Sequence, residues 1–169
     1  MPLLPEGEEM SDQTVPETIK PEWLPDAPLS WFRIESLLRQ IVESKPDDYT
    51  YPRRTKAGPH GDKACAYWHS EDSEPGCLIG HLMFRLGAPA DFLNACDRHP
   101  GGSGIEVLHN HKIVSDLFDD EAVMVLTYIQ GRQDSGSTWA QALKLGIAYF
   151  SGTHAMMRKL GKRELERKM

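Results

Sequence analysis

A hydrophobic repeat at helical spacing is the feature that most constrains how this chain can fold. Between Ser30 and Pro46 the large apolar residues recur every three or four positions, as Trp31, Ile34, Leu38, Ile41 and Val42. That spacing places them on one side of an α-helix, whereas a half-buried strand needs alternating apolar and polar residues. No convincing alternation occurs elsewhere in the sequence. The pattern therefore predicts an all-α fold.

Capping residues, prolines and glycines divide the rest of the sequence into further helices. The second helix is predicted to begin near Glu74-Pro75, since proline suits the first helical position. Later helices are predicted over 89–96, after a capping box of Ser103 and Glu106, after Asp119 or Asp120, after Ser137 or Thr138, and over 153–168. These boundaries predict a single compact domain of five to seven helices over residues 30–169, with a basic C-terminal helix from about residue 153.

Residues 1–29 differ from the rest in composition. They hold six of the twelve prolines and seven acidic residues against one lysine, with few large apolar side chains. Such a segment cannot bury enough surface to offset the entropy of ordering it, so we expect a disordered or extended acidic arm. Trp23 and Leu24 are the exception. We expect them to dock on the helical domain as a strap, with a partner-binding motif as the alternative.

Charge is segregated along the chain. The net charge of −6 belongs to the arm, because residues 30–169 hold 18 acidic and 18 basic residues. Basic side chains cluster in the loop over 46–64 and in the last predicted helix. With Trp23, these are the candidate partner-binding residues, namely Arg53, Arg54, Lys56, Arg158, Lys159, Lys162 and Arg163. A neutral domain with an acidic arm disfavours nucleic acid as the partner.

Composition also argues against a secreted or membrane-spanning chain. Three cysteines are too few for a disulfide framework, and no stretch approaches the roughly 18 apolar residues that a membrane helix requires. The first residues lack the basic segment that precedes the apolar core of a signal peptide. We therefore expect reduced thiols, a cytoplasmic location and no membrane contact.

Two cysteine and histidine pairs flank an acidic turn and form the first candidate site. Cys65 precedes His69 by four residues, and Cys77 precedes His81 by four. On helical turns each pair would share a face, and two thiolates with two imidazoles are the ligand set of a closed tetrahedral zinc site. Alternatively, the cysteines are small buried apolar groups and no cofactor is bound. We expect the packed corner, with zinc as the alternative.

A reactive thiol at Cys77 is a further alternative. The first turn of a helix stabilises a thiolate, and His81 or His60 would supply a base. No third group that would orient the base can be named, and the following Leu78-Ile79 is typical of a core. A cysteine- or metal-dependent enzyme is therefore the third choice, and we lean toward a chain without catalytic activity.

Several short motifs are similar to those of a known group of proteins. They are Cys65-x-Tyr67, Pro75-x-Cys-Leu-Ile-Gly80, Leu86-Gly87 and Gln133-Asp-x-Gly-x-x-Trp139. As a set they resemble small uncharacterised proteins encoded by actinobacteria and their phages, over roughly residues 30–150. The resemblance implies no settled activity, and it implies that Cys77 is a packing position at a helix start.

Phage genomes encode many small proteins that bind and block a host factor, so the resemblance implies that class. The sequence adds charge segregation around a neutral helical domain. We therefore expect a non-enzymatic regulatory or host-interaction protein, phage-encoded, that binds a host protein. The alternative is a zinc-stabilised or nucleic-acid-binding regulator, whose basic loop and basic last helix would contact phosphates.

Overall fold

The computed structural model describes residues 20–52 and 66–168, and over those ranges the chain is mostly helical. The helices are α1 (Trp31–Glu43), α2 (Leu78–Arg85), α3 (Ala90–Asp97), α4 (Ile105–Asn110), α5 (Asp120–Asp134) and α6 (Trp139–Lys168). Two short strands, β1 (Trp68–His69) and β2 (Glu74–Pro75), precede α2. The described part thus holds six helices, within the predicted five to seven, and the mainly helical fold is confirmed.

α1 buries the predicted apolar stripe. Trp31, Ile34, Leu38 and Ile41 all face the core. The helix ends at Glu43, where the hydroxyl of Ser44 donates a hydrogen bond to the carbonyl of Ile41 at 2.6 Å. Pro46 follows and prevents the helix from continuing, as the sequence predicts.

α5 is the central helix and contacts α1, α2, α4 and α6. Its inward stripe is buried and includes Val123, Leu126, Ile129 and Gln130. Asp119 caps its start by accepting a hydrogen bond from the amide of Ala122 at 2.8 Å. α6 approaches α5 so closely that a β-carbon at Gly146 would lie 2.5 Å from Cγ1 of Ile129. Only glycine allows this pair of helices to pack at that distance.

A hairpin occupies the position predicted for the start of the second helix. Glu74 and Pro75 pair antiparallel with His69 and Trp68, after a turn in which Ser73 takes a φ of 54°. The amides of Gly76 and Cys77 then donate hydrogen bonds to the carbonyls of Tyr67 and Ala66, at 2.9 and 2.8 Å. The helix start predicted at Glu74-Pro75 is therefore wrong, and the mostly helical fold also includes a two-stranded sheet. Backbone pairing with residues 66–69 overrides the preference of proline for a first helical turn.

α6 is one continuous helix of 30 residues. The helix predicted after Thr138 and the one predicted from about residue 153 are its two halves. Thr138 caps the start as predicted, since its hydroxyl accepts a hydrogen bond from the amide of Gln141 at 3.1 Å. Gly152 does not interrupt the helix, because an interior glycine costs only about 1 kcal/mol relative to alanine. None of the described helices is long and apolar enough to cross a membrane.

The end of the predicted N-terminal arm contacts the helices. Leu29 donates a backbone hydrogen bond to Leu117 at 2.9 Å and accepts one from Asp119 at 3.1 Å. The ring of Trp23 packs against Phe92 of α3, with ring centroids 4.9 Å apart. Residues 21–29 thus pack on the helices as a strap, as we expected from Trp23 and Leu24. Residues 1–19 lie outside the described ranges.

Candidate functional site

Cys77 is the N-cap residue of α2 rather than a member of its first turn. Its side chain is fully buried, and Sγ accepts a hydrogen bond from the amide of Gly80 at 3.4 Å. A substrate cannot reach a thiol that has no exposed surface, so this geometry does not favour the nucleophilic cysteine. The arrangement favours a packing and capping role for Cys77.

The other described cysteine, Cys96 on α3, is also buried. Burial, and to a smaller extent the charge of the neighbouring Asp97, raises the pKa of the Cys96 thiol to about 12. This thiol therefore stays protonated at neutral pH. Both oxygens of Asp97 accept backbone hydrogen bonds, from Tyr67 at 2.8 Å and Trp68 at 3.0 Å. Asp97 thus fixes the hairpin to α3.

His81 projects from α2 beside Trp139, with ring centroids 5.2 Å apart. Burial lowers its pKa from the ordinary 6.5 to about 4, with smaller contributions from the positive charges of Lys45 and His69. A hydrogen bond to the backbone of Pro75 opposes this effect. His81 is therefore a neutral imidazole at physiological pH, held against the aromatic ring that begins α6.

His69 lies on β1, and its ring stacks on Tyr51 at a centroid distance of 5.6 Å and an interplanar angle of 15°. It is close enough to His81 to affect that residue's pKa. Within residues 20–52 and 66–168, however, no group of three or more histidine, cysteine, aspartate or glutamate side chains is placed to hold a metal ion. Cys65 falls outside those ranges, so the four-ligand zinc site stays a prediction.

An aromatic corner closes the gap between the end of α1 and the start of α6. The rings of Tyr49 and Trp139 meet edge to face at 4.7 Å, and the backbone amide of Trp139 donates to the carbonyl of Tyr49 at 2.9 Å. The ammonium of Lys45 lies 5.0 Å from the centre of the Tyr49 ring. Burial, with the charge of Glu74, raises the pKa of the Tyr49 phenol. The corner is thus an aromatic pair with a lysine ammonium beside it.

The residues of the short motifs join the hairpin to α2 and α5. A β-carbon on Gly80 would collide with the backbone carbonyl of Tyr67. The Tyr67 hydroxyl donates to the carbonyl of Ser103 and accepts from the side-chain amide of Gln130 at 3.0 Å. Gln133 accepts a hydrogen bond from the amide of Leu78 at 2.9 Å. These contacts give packing and hydrogen-bonding roles to Tyr67, Gly80 and Gln133.

Gln130 also performs the capping role that the sequence assigned to Ser103. Its side-chain oxygen accepts a hydrogen bond from the amide of Ile105 at 2.9 Å. α4 begins after Gly104, which has no side-chain cap of its own, and the predicted capping box of Ser103 and Glu106 is wrong. The acceptor comes from a distant helix, so no local pattern could have revealed it.

The structure brings together two histidines that lie outside the two cysteine and histidine pairs. The rings of His99, after α3, and His111, after α4, lie 4.8 Å apart. They belong to two different loops, and their spacing in sequence carries no signal of contact. Two imidazoles alone do not make a metal site, and the described part of the chain offers them no third ligand.

The predicted partner-binding residues are dispersed. Trp23 is half-buried in the strap, and this placement gives its partner-binding alternative no support. Arg53, Arg54 and Lys56 lie outside the described residues. Arg158 and Lys159 are exposed on α6, and Lys162 and Arg163 belong to the same helix. The structure thus places four of the predicted residues on one element.

The second half of α6 extends beyond the packed helices. Its first half is anchored by buried Trp139, Ala142, Leu143 and Phe150. After Phe150 every side chain that the structure describes is half-buried or exposed, including Met156 and Met157, at 57% and 62% exposure. The last 17 residues of the chain carry six basic residues against two acidic ones. Exposed methionines and the exposed basic residues Arg158 and Lys159 thus lie next to one another on this part of α6.

Comparison with protein-family models, with curated proteins and with solved structures finds no match for this chain. The geometry is therefore the basis for assigning a function. Among the described residues it offers the exposed second half of α6.

Proposed function

We propose that this protein is a non-enzymatic regulatory protein that acts in the cytoplasm by binding another protein. The supporting observation is the second half of α6, where exposed Met156 lies three residues from exposed Lys159 and so shares a helix face with it. Methionine adapts its shape to different apolar surfaces, and lysine attracts an acidic surface. We call the positions of Met156 and Lys159 the outer face of α6.

The partner that fits the outer face is a protein with an acidic surface around an apolar pocket. Charge complementarity would speed the encounter, while burial of methionine would supply affinity. If the chain is phage-encoded, as its motifs imply, the partner is a host protein. The same basic helix also supports the alternative of a nucleic-acid ligand, whose phosphates would attract Lys159.

A photo-crosslinking residue placed at Met156 of the full chain tests this proposal in a lysate of the candidate host. We expect one protein adduct, absent when the same residue replaces Phe84, an exposed apolar position on α2. The adduct should weaken with Lys159→Glu. Absence of any adduct specific to position 156 would contradict the proposal, and loss of the adduct after nuclease treatment would favour the nucleic-acid alternative.

A further inference from the structure

An apolar strip runs from the core onto the uncovered half of α6. The ring of Phe32, on α1, packs edge to face on Phe150 at 5.2 Å and lies 6.4 Å from the ring of His154, yet 68% of its side chain is exposed. His154 follows Phe150 by one helical turn, and exposed Met157 follows His154 by three residues, so the three share a face. We call Phe32, Phe150, His154 and Met157 the terminal strip.

Opposite charges flank Met157 along the helix axis. N-terminal to Met157, Nε2 of His154 contacts Oε1 of Glu121, which lies at the start of α5. C-terminal to Met157, Arg158 is exposed and lies one helical turn after His154, on the same face of α6. The acidic and basic positions are therefore separated by about 6 Å along α6, with methionine between them.

We propose that the terminal strip is covered by a second copy of this chain, packed through antiparallel α6 helices about a two-fold axis near Met157. In an antiparallel pair, the acidic and basic positions of one copy run in the opposite direction to those of the other. Arg158 of each copy therefore faces His154 and Glu121 of the other copy. Phe32 and Met157 of the two copies then meet at the centre. A two-fold contact requires a self-complementary surface, and an acid and a base on either side of an apolar centre provide one.

A second copy fits this strip better than an unrelated chain does. An unrelated partner would have to present an acid and a base in the reversed order at the same spacing, whereas a copy carries both. The proposed dimer uses the row of Phe150, His154 and Arg158, and it leaves the outer face with Lys159 free. Self-association is thus independent of the proposed binding of another protein, and either can fail without the other.

Sedimentation velocity of the full chain over a wide range of concentration tests the dimer. We expect a reversible monomer–dimer equilibrium that Phe32→Asp and Met157→Asp each weaken by roughly tenfold or more, because each places an unpaired charge in the contact. Phe84→Asp, at an exposed apolar position on α2, is the matched control and should leave the equilibrium unchanged. Both test positions are more than half exposed, so the variants should keep the wild-type circular dichroism spectrum.

A charge swap and a covalent probe identify the arrangement. Arg158→Glu should weaken the dimer, and adding Glu121→Arg to the same chain should restore it, which a merely structural role of either residue would not produce. Met157→Cys should form a symmetric intermolecular disulfide on mild oxidation, whereas Lys159→Cys should not. A wild-type chain that stays monomeric throughout, or a dimer indifferent to Phe32→Asp and Met157→Asp, would overturn the proposal.

Discussion

The side-chain oxygen of Gln133 accepts a hydrogen bond from the backbone amide of Leu78, the first residue of α2, at 2.9 Å. Three residues earlier on α5, Gln130 accepts an equivalent bond from Ile105, the first residue of α4, also at 2.9 Å. Amides at a helix start have no carbonyl one turn before them and need another acceptor. One central helix therefore provides acceptors to two others, which fixes how α2 and α4 meet α5.

Replacing Gln133 by methionine should destabilise the protein. Methionine has nearly the same size and shape, so the change removes the acceptor and leaves the buried amide of Leu78 unpaired. We expect the free energy of unfolding to fall by about 1–3 kcal/mol, measured by urea denaturation. Gln141→Met, at an exposed position on α6, is the control and should change stability by less than about 0.5 kcal/mol. Equal stability of the two variants would show that the Gln133 bond contributes nothing.

Two glycine-to-alanine substitutions should change the stability of the protein in opposite directions. At Gly80 the added β-carbon meets the backbone carbonyl of Tyr67, which cannot move without disturbing the hairpin, so we expect a loss of about 2 kcal/mol or more. At Gly131, inside α5, nothing lies within 4 Å of the added carbon. Alanine there should stabilise the protein by up to about 1 kcal/mol, because glycine is the poorer helix former.

Thermal denaturation of the two variants and the wild type tests both expectations: the melting temperature should fall for Gly80→Ala and rise for Gly131→Ala. If Gly80→Ala has the same melting temperature as the wild type, the hairpin does not pack on α2 as described. A destabilised Gly131→Ala protein would mean that the exposed side of α5 is in fact covered.

The fold was predictable where a long element carries its own pattern. The stripe of α1 and the Asp119 cap of α5 are local features, and both are confirmed. The hairpin at Trp68 and Pro75 was not predictable, since strands of two residues are too short to show a period. The continuity of α6 through Gly152 was missed because a single interior glycine costs only about 1 kcal/mol, which does not stop a long helix from propagating.

The candidate site was less predictable than the fold. Cys77 at a helix start could be read from the sequence, but its role as the cap residue depends on the hairpin that precedes it. Gln130 looked like an ordinary member of a helical stripe, and Gln133 looked like the first residue of a turn. Their function appears only when the amides of Ile105 and Leu78 are brought to them from elsewhere in the chain. Contacts of this kind have no local sequence signature.

Stability should fall in acid through His81. Its pKa is about 4 in the folded protein and near 6.5 when unfolded, so below about pH 6.5 the unfolded chain binds the extra proton. Stability from this residue is complete above that pH and is lost progressively as the pH falls toward 4. Because the ring is only half-buried, screening by solvent limits the effect to about 1–2 kcal/mol.

The comparison of wild type with His81→Gln isolates this contribution. Urea denaturation at several pH values between 4 and 7 should show a shallower pH dependence for His81→Gln than for the wild type. Parallel stability curves for wild type and His81→Gln would mean that His81 titrates alike in the folded and unfolded chains.

Chelation should leave this protein intact. The described corner buries Cys77 as a cap that accepts a bond from Gly80, and it holds His81 against Trp139, an arrangement that needs no ion. We therefore expect far less than one zinc per chain by elemental analysis, and an unchanged melting temperature after treatment with EDTA. Cys77→Ser should cost about 1–3 kcal/mol, because a hydroxyl would replace a buried thiol.

His69→Gln and His81→Gln provide the matched variants for this prediction. If zinc joined them to Cys65 and Cys77, each substitution would remove the metal and most of the stability, because formation of such a site is coupled to folding. If the corner is packed without metal, His81→Gln should be tolerated at neutral pH, since the imidazole there is already neutral. Stoichiometric zinc in the wild type, lost in both variants together with thermal stability, would replace the packed corner by a metal centre.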